Sequence, residues 1–411
     1  MLAGTGFLAA PALALPGLDR PAELRALLHR DLFQGFLPFM ERHVIDREYG
    51  GFLCDTDCDG THADTYKTPL NEGRGIWVYS FLYTHFGRDE RYLDVARRSV
   101  ALLQKSRPAD GEFWSARLNR EGTPVAPPAA TMPGDLAVCE GLAAYALATK
   151  SQEPLDRARQ LLNRAVEAYD RADYNPGAGK IFLGPDAPPT PGARNVGSWM
   201  LLLRCAAQIR EADRNARTTA LADRAVEAVL QHHFNPACRL NNEILPHDLS
   251  APAAPFDQLV YFGHTIEITW MLLEEALYRR DPAMFQMVTE RFRRHVDVAT
   301  DRVYGGVFHN LRNVDANRWL LDKVLWAQLE TLIDALLVAE HTGAAWARDL
   351  FDSMNAYVRS KWTLQQHGSP LWMYAADRRA TFASFAAMPK RVEHYHYPRH
   401  LMLDLLRLDR L

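Results

Sequence analysis

Cysteine is scarce in this chain. The five residues, Cys54, Cys58, Cys139, Cys205 and Cys238, form an odd and scattered set, which excludes a disulfide framework. Only Cys54 and Cys58 stand close together, with His62 beyond them. No second close pair completes a zinc set, and Asp55, Asp57, Asp59 and Gly60 make the stretch read as a polar hairpin tip. A basic excess is also missing. Lys and Arg number 47 against 50 Asp and Glu, a formal net charge of -3, so nothing marks the chain for nucleic acid or an anionic membrane. The apolar N-terminus, Met1 to Pro16, is too short and too broken by Gly and Pro to span a bilayer. Ala12-Leu13-Ala14 resembles a cleavage triplet, but the first positive charge is Arg20. Residues 1–20 therefore read in one of two ways: the remnant of an export signal whose basic start lies upstream, or a disordered tail. The first makes the protein periplasmic and the second cytoplasmic. No linker or composition break divides residues 21–411, so a single domain is expected there.

What the chain does have is helical periodicity and an internal repeat. An amphipathic segment runs from Pro21 to about Val44, with Leu24, Leu28, Leu32 and Phe36 on one face. Tyr49-Gly50-Gly51-Phe52-Leu53 follows as a short strand, and a helix starts near Glu72. The unit recurs: Tyr304-Gly305-Gly306-Val307-Phe308 repeats the strand, Lys323 answers Lys67, and an apolar helix follows. Arg74 and Glu330 each lie seven residues past their lysine, so they hold equivalent places in two copies. Weaker copies begin at Gly111–Trp114, Lys180–Leu183, Leu240–Leu245 and Ser369–Tyr374, each leading to an apolar helix. Six helix–hairpin–helix units make about twelve helices, the number that closes an α/α toroid. The fold class expected is all-α, an (α/α)6 barrel with short β-hairpins in the loops on one face.

This layout gathers scattered residues at one mouth. The inner helices open with Arg74, with His264 and Glu267, with Trp326, Gln328 and Glu330, and with His396 and Arg399. In Gly263-His264-Thr265-Ile266-Glu267, a separation of three puts the histidine and the glutamate one turn apart on one face. Asn195, Trp199 and Trp372 are expected beside them. Clustered polar groups among aromatic rings suit a sugar, which has apolar faces and hydroxyl edges. The bland readings remain strongest for Trp77 and Trp270 as core, for Lys67 and Lys323 as braces, for His232-His233 as a helix cap and for His394 as a loop residue.

The chain resembles the N-acylglucosamine 2-epimerase family, which includes cellobiose 2-epimerases and mannose isomerases. The resemblance runs from about Phe33 onward. It rests on YGGF at Tyr49–Phe52, EGRGIW at Glu72–Trp77, GHTIE at Gly263–Glu267, KVLWAQLE at Lys323–Glu330 and HYPR at His396–Arg399. It implies an (α/α)6 barrel, two acid/base histidines at His264 and His396, an arginine at Arg74 and active-site carboxylates at Glu267 and Glu330. Substrate-binding positions fall on Trp326, Gln328, Trp372, Trp199, Asn195 and Arg399. Three positions depart from the family's pattern: Leu70 and Glu72 stand before the arginine where Trp and Gln are usual, and Trp199 stands where cellobiose epimerases and mannose isomerases carry a third histidine.

The implied reaction is epimerisation at carbon 2 of a free aldose. One histidine removes the proton and the other returns one to the opposite face, through an enediolate matched by Arg74. Glu267 is expected to fix the tautomer of His264, and Glu330 to serve substrate hydroxyls or a histidine. No cofactor or metal is expected, and the protein should be a monomer or a homodimer acting on a small sugar. Aldose–ketose isomerisation is the alternative. Three other classes stay open: a metal site on His264, Glu267, His394 and His396, a glycoside hydrolase using Glu267 and Glu330, and a non-catalytic sugar-binding protein.

Overall fold

The computed structural model describes residues 15–57, 59–109, 111–362, 375–376 and 392–411. Cys58, Trp372, the expected Ser369–Tyr374 hairpin and the segment 1–14 lie outside the described residues. The first helical rod, α1, is built from Pro21–Arg30, Asp31–Phe36, Leu37–Phe39 and Met40–Val44. Its turns widen to the i→i+5 pitch on either side of Pro38, which has no N–H to keep the ordinary ladder. Eleven more long helices follow among the described residues: α2 Pro69–His85, α3 Glu90–Lys105, α4 Pro133–Thr149, α5 Gln152–Tyr169, α6 Val196–Ala212, α7 Ala216–Glu227, α8 Phe262–Arg279, α9 Pro282–Ala299, α10 Leu325–Thr342, α11 Ala345–Lys361 and α12 His396–Leu408. That is the number the repeat implies.

The helices sort into two rings. The even-numbered ones contact one another in turn, α2 to α4, α6, α8, α10 and α12, and α12 returns to α2. Each odd-numbered helix packs outside. The chemistry of the two sets differs accordingly. Outer α3 buries one stripe, Val95, Ala96, Ser99, Val100, Leu102 and Leu103, and turns its charges to water. Inner α10 is buried on nearly every side from Leu325 to Ala339. Capping sets several starts: Asp89, Asn215 and Asp281 accept the N–H of Arg91, Thr218 and Met284 at 2.9–3.0 Å.

Short strands deliver the chain to three of the inner helices, α6, α8 and α10. Arg194–Asn195 pairs antiparallel with Ile244–Leu245 just before α6. Val260–Tyr261, Asn310–Asn313 and Arg318–Leu320 form a three-stranded sheet before α8 and α10. The two clear copies of the repeat share one brace. Lys67 Nζ donates to Asp46 Oδ2 at 3.0 Å and to Gly50 O, and Lys323 Nζ donates to Asp301 Oδ2 at 3.0 Å and to Gly305 O. Both lysines are fully buried, as the bracing reading requires. Two expectations fail here. Tyr49–Leu53 and its repeat Tyr304–Phe308 are not strands but turns through paired glycines of positive φ, each with one isolated bridge, Ile45 to Phe52 and Thr300 to Val307. Lys180–Leu183 is not a strand but part of a short helix, Ala178–Leu183, entered and left through Gly177 and Gly184.

Candidate active site

The inner helices all start on the face that carries the hairpins, so their first turns share one opening. A cavity of about 310 Å³ lies there, and Arg74, Asn195, His264, Glu267, Trp326 and His396 line it. Two glycines let the rings approach. A Cβ on Gly197 would sit 2.5 Å from the His264 ring, and one on Gly263 would sit 2.3 Å from the Trp326 ring. Trp326 has its ring centroid 6.1 Å from that of His264 and 5.5 Å from that of His396.

Each histidine is held at Nδ1 by a carboxylate. His264 Nδ1 lies 2.9 Å from Glu243 Oε1. This corrects the expected partner, since Glu267, one turn along, turns instead to Arg399. His396 Nδ1 lies 2.9 Å from Glu330 Oε1 and 3.0 Å from Arg399 Nη2. Nη2 has two hydrogens, and Glu267 Oε1 at 2.5 Å and Glu330 Oε1 at 2.7 Å take both. Nδ1 of His396 must then carry the hydrogen that Glu330 accepts, and Nε2 keeps its lone pair. Neither Nε2 has a protein partner among the described residues, so both remain for a ligand.

The two rings differ in charge. Burial drives His396 down to about 3, and Arg399 and Arg74 add to the fall against Glu393 and Glu267. Burial also pulls on His264, but the charge and hydrogen bond of Glu243, with the charge of Glu267, outweigh it and raise the ring above its ordinary value. Arg74 forms no salt bridge among the described residues, and its guanidinium rests over the Tyr395 ring at 4.7 Å. It is a cation aimed at the cavity with its charge unspent.

Four expected site residues do not line the cavity. Glu330 is fully buried behind His396, where Trp270 Nε1 also donates to it at 2.8 Å. Arg399 is buried with it as the common counter-ion. Gln328 takes the role in the second copy that Glu72 takes in the first. Its Oε1 accepts the Val307 N–H at 2.8 Å, as Glu72 Oε1 accepts that of Phe52 at 3.0 Å. Trp199 packs edge-on against Tyr169 at 5.0 Å, because α6 turns Gly197, Ser198 and Leu201 inward and puts residue 199 on the far side. Sequence reasoning missed Glu243, Ser198, Thr131, Tyr174 and Phe182. Ser198 Oγ donates to Asn195 Oδ1 at 2.6 Å.

The arrangement limits the other readings. Glu267, Glu330 and His396 bring ligand atoms within 4.8 Å of one another, a spacing suited to a metal ion, but Arg399 already supplies a cation there. His394 is elsewhere engaged, with Nε2 2.9 Å from Asn71 O. Glu330 is fully buried and does not line the cavity, so Glu267 and Glu330 do not flank a glycosidic bond there as a hydrolase pair must.

Comparison with known proteins points the same way. Residues 34–398 match the family model described as N-acylglucosamine 2-epimerase (GlcNAc 2-epimerase). A human protein named N-acylglucosamine 2-epimerase is 25% identical over 354 residues, 81% of this chain and 77% of that protein. The structure of a cellobiose 2-epimerase from Spirochaeta thermophila DSM 6192 superposes with a TM-score of 0.79 at 18% identity, covering 97% of this chain and 99% of that one. A D-mannose isomerase structure gives 0.77 at 15% identity, covering 97% and 100%.

Proposed function

This chain belongs to the N-acylglucosamine 2-epimerase family and is an enzyme of that kind, and on that premise we propose that it epimerises a free aldose at carbon 2 with His264 and His396 as its two bases. One observation carries the reading. Both imidazoles line a single cavity, each tied at Nδ1 to a buried carboxylate and each with Nε2 open. A neutral histidine accepts the carbon-2 proton, and a histidinium supplies one from the other side. The negative oxygen of the enediolate falls to Arg74, a fixed cation in the lining of that cavity.

Glu243 and Glu330 orient the rings, and Arg399 balances the buried carboxylates. Glu267 and Trp326 meet the sugar, with Asn195 and Ser198 as hydroxyl partners. Trp199 faces away from the cavity and carries no argument about substrate. N-acetylglucosamine and N-acetylmannosamine are the first sugars to test, because relatives bearing the N-acylglucosamine 2-epimerase name are 25% identical.

His264→Ala and His396→Ala should each cut turnover by ~10²-fold or more, the scale of one acid/base group. Circular dichroism should show both folded. Near-normal turnover by either folded variant on the wild-type substrate would exclude the two-base scheme.

A further inference from the structure

The carboxylates behind the two histidines are wired differently. Glu330 accepts from three donors, His396 Nδ1, Arg399 Nη2 and Trp270 Nε1, so a guanidinium already answers its charge. Among the described residues, the Glu243 carboxylate has His264 alone as a partner. Its Oε1 takes the Nδ1 hydrogen, and its Oε2 is buried with no partner. Among the described residues, the imidazole is the group placed to answer this buried carboxylate, and an unanswered buried charge is costly. Its backbone holds it rigidly. The Glu243 N–H donates to Leu259 O at 2.9 Å, ahead of α8, and Glu243 O accepts the N–H of Val196, the first residue of α6, at 3.1 Å.

Other groups face His264 from each neighbouring element. Glu267 lies on its own helix, and His309 lies nearby under Asp322. Phe182 of the short helix, Tyr261 of the preceding strand and Trp326 of α10 complete the surroundings. Among these, Glu243 is the one carboxylate hydrogen-bonded to the ring.

We infer that Glu243 is a positioning residue that assigns His264 the acid's part and leaves His396 the base's, so that the resting enzyme takes the carbon-2 proton on the His396 side. This rests on the epimerase reading. In the open-chain sugar, His396 Nε2 takes the proton from carbon 2. The C–H electron pair forms the C1–C2 double bond, and the carbonyl pair moves onto the oxygen that Arg74 meets. His264 Nε2–H then gives its proton to the opposite face of carbon 2, and the electrons return to restore the carbonyl. The enzyme is left with His396 protonated and His264 neutral, and proton exchange with water resets it. A consequence is that the two epimers are not equivalent substrates for the resting form.

The test is Glu243→Gln, which keeps an oxygen acceptor for Nδ1 but removes the charge. In deuterated water, the wild type should exchange the carbon-2 hydrogen and invert carbon 2 together. In the variant, inversion should fall by ~10²-fold, the scale of one general acid. One of the two epimers should still exchange its carbon-2 hydrogen with retention, through His396. The limb of the pH–rate profile along which activity falls as pH rises should move to lower pH, and Glu243→Asp should restore part of the inversion. Equal loss of exchange and inversion, or an unmoved limb with both retained, would overturn the assignment. If Glu243→Gln does not fold, nitrogen NMR of the wild type decides: His264 must titrate above His396, and the reverse order refutes the inference. If the wild type exchanges no sugar at all, the epimerase reading itself fails, and that outcome is distinct from a failed Glu243 test.

Discussion

His295 offers a quantitative check on how the site's scaffold is held. It lies on α9, fully buried, with Nδ1 2.8 Å from Arg291 O. Its Nε2 accepts the Asn241 N–H at 3.0 Å, two residues before Glu243. That pairing needs a neutral ring, with hydrogen on Nδ1 and a lone pair on Nε2. Burial pushes the ring down to about 4 from its ordinary 6.5, and the nearby charges of Arg291 and Arg294 act in the same direction. A depressed pKa contributes stability that is present above the unfolded value and is lost as pH falls through it towards the folded one. At pH 5, 1.5 units below the unfolded value, the loss is about 2 kcal/mol at 1.36 kcal/mol per unit. A glutamine at this position has a donor and an acceptor but does not titrate. His295→Gln is therefore expected to cost stability at pH 7, with the gap to wild type closing by about 2 kcal/mol at pH 5. Urea unfolding of both proteins at the two pH values measures this, and the buried carboxylates common to both cancel in the difference. A gap that stays constant between pH 7 and pH 5 would refute the neutral-ring argument.

Arg74→Lys should not be a mild change, since an ammonium cannot present the two parallel donors of a guanidinium or stack as flatly over Tyr395. A fall in kcat of ~10²-fold is expected from removing one preorganised donor, and a variant keeping most of its kcat would make Arg74 structural. Gly197→Ala places a methyl 2.5 Å from the His264 ring, so the ring or α6 must shift. Turnover should fall by ~10²-fold, the usual penalty for displacement of about an ångström, while melting changes little. Unchanged kcat would show that the close approach is not needed.

The architecture was legible because it repeats. Tyr49–Leu53 and Tyr304–Phe308, each followed by a bracing lysine, mark two equivalent units, and the 3.6-residue period separates striped outer helices from more apolar inner ones buried on most sides. Residues at the start of inner helices were legible for the same reason, and Arg74, His264, Glu267, Trp326 and His396 meet at one cavity. Glu243 was not legible. It sits beside two-residue strands that have no period to read, and its partner is 21 residues away. Arg399 and Gln328 were misplaced because position on a helix names a turn, not a direction. Arg399 points behind His396, and Gln328 closes its own hairpin. The helix Ala178–Leu183 is not legible as one, because its run of Ile181, Phe182 and Leu183 is too short to distinguish the two periods.

The central claim is that two imidazoles abstract and return a proton at carbon 2 of a free sugar. Proton NMR in deuterated water tests it most directly, with glucose, mannose, fructose, cellobiose, N-acetylglucosamine and N-acetylmannosamine incubated separately with the folded wild-type enzyme. At least one aldose should lose its carbon-2 proton signal and yield the 2-epimer labelled at carbon 2. That exchange should persist in EDTA, because the scheme uses imidazoles and a guanidinium. A ketose product would instead place the same residues in an isomerase. Retention of every carbon-2 proton would contradict the account.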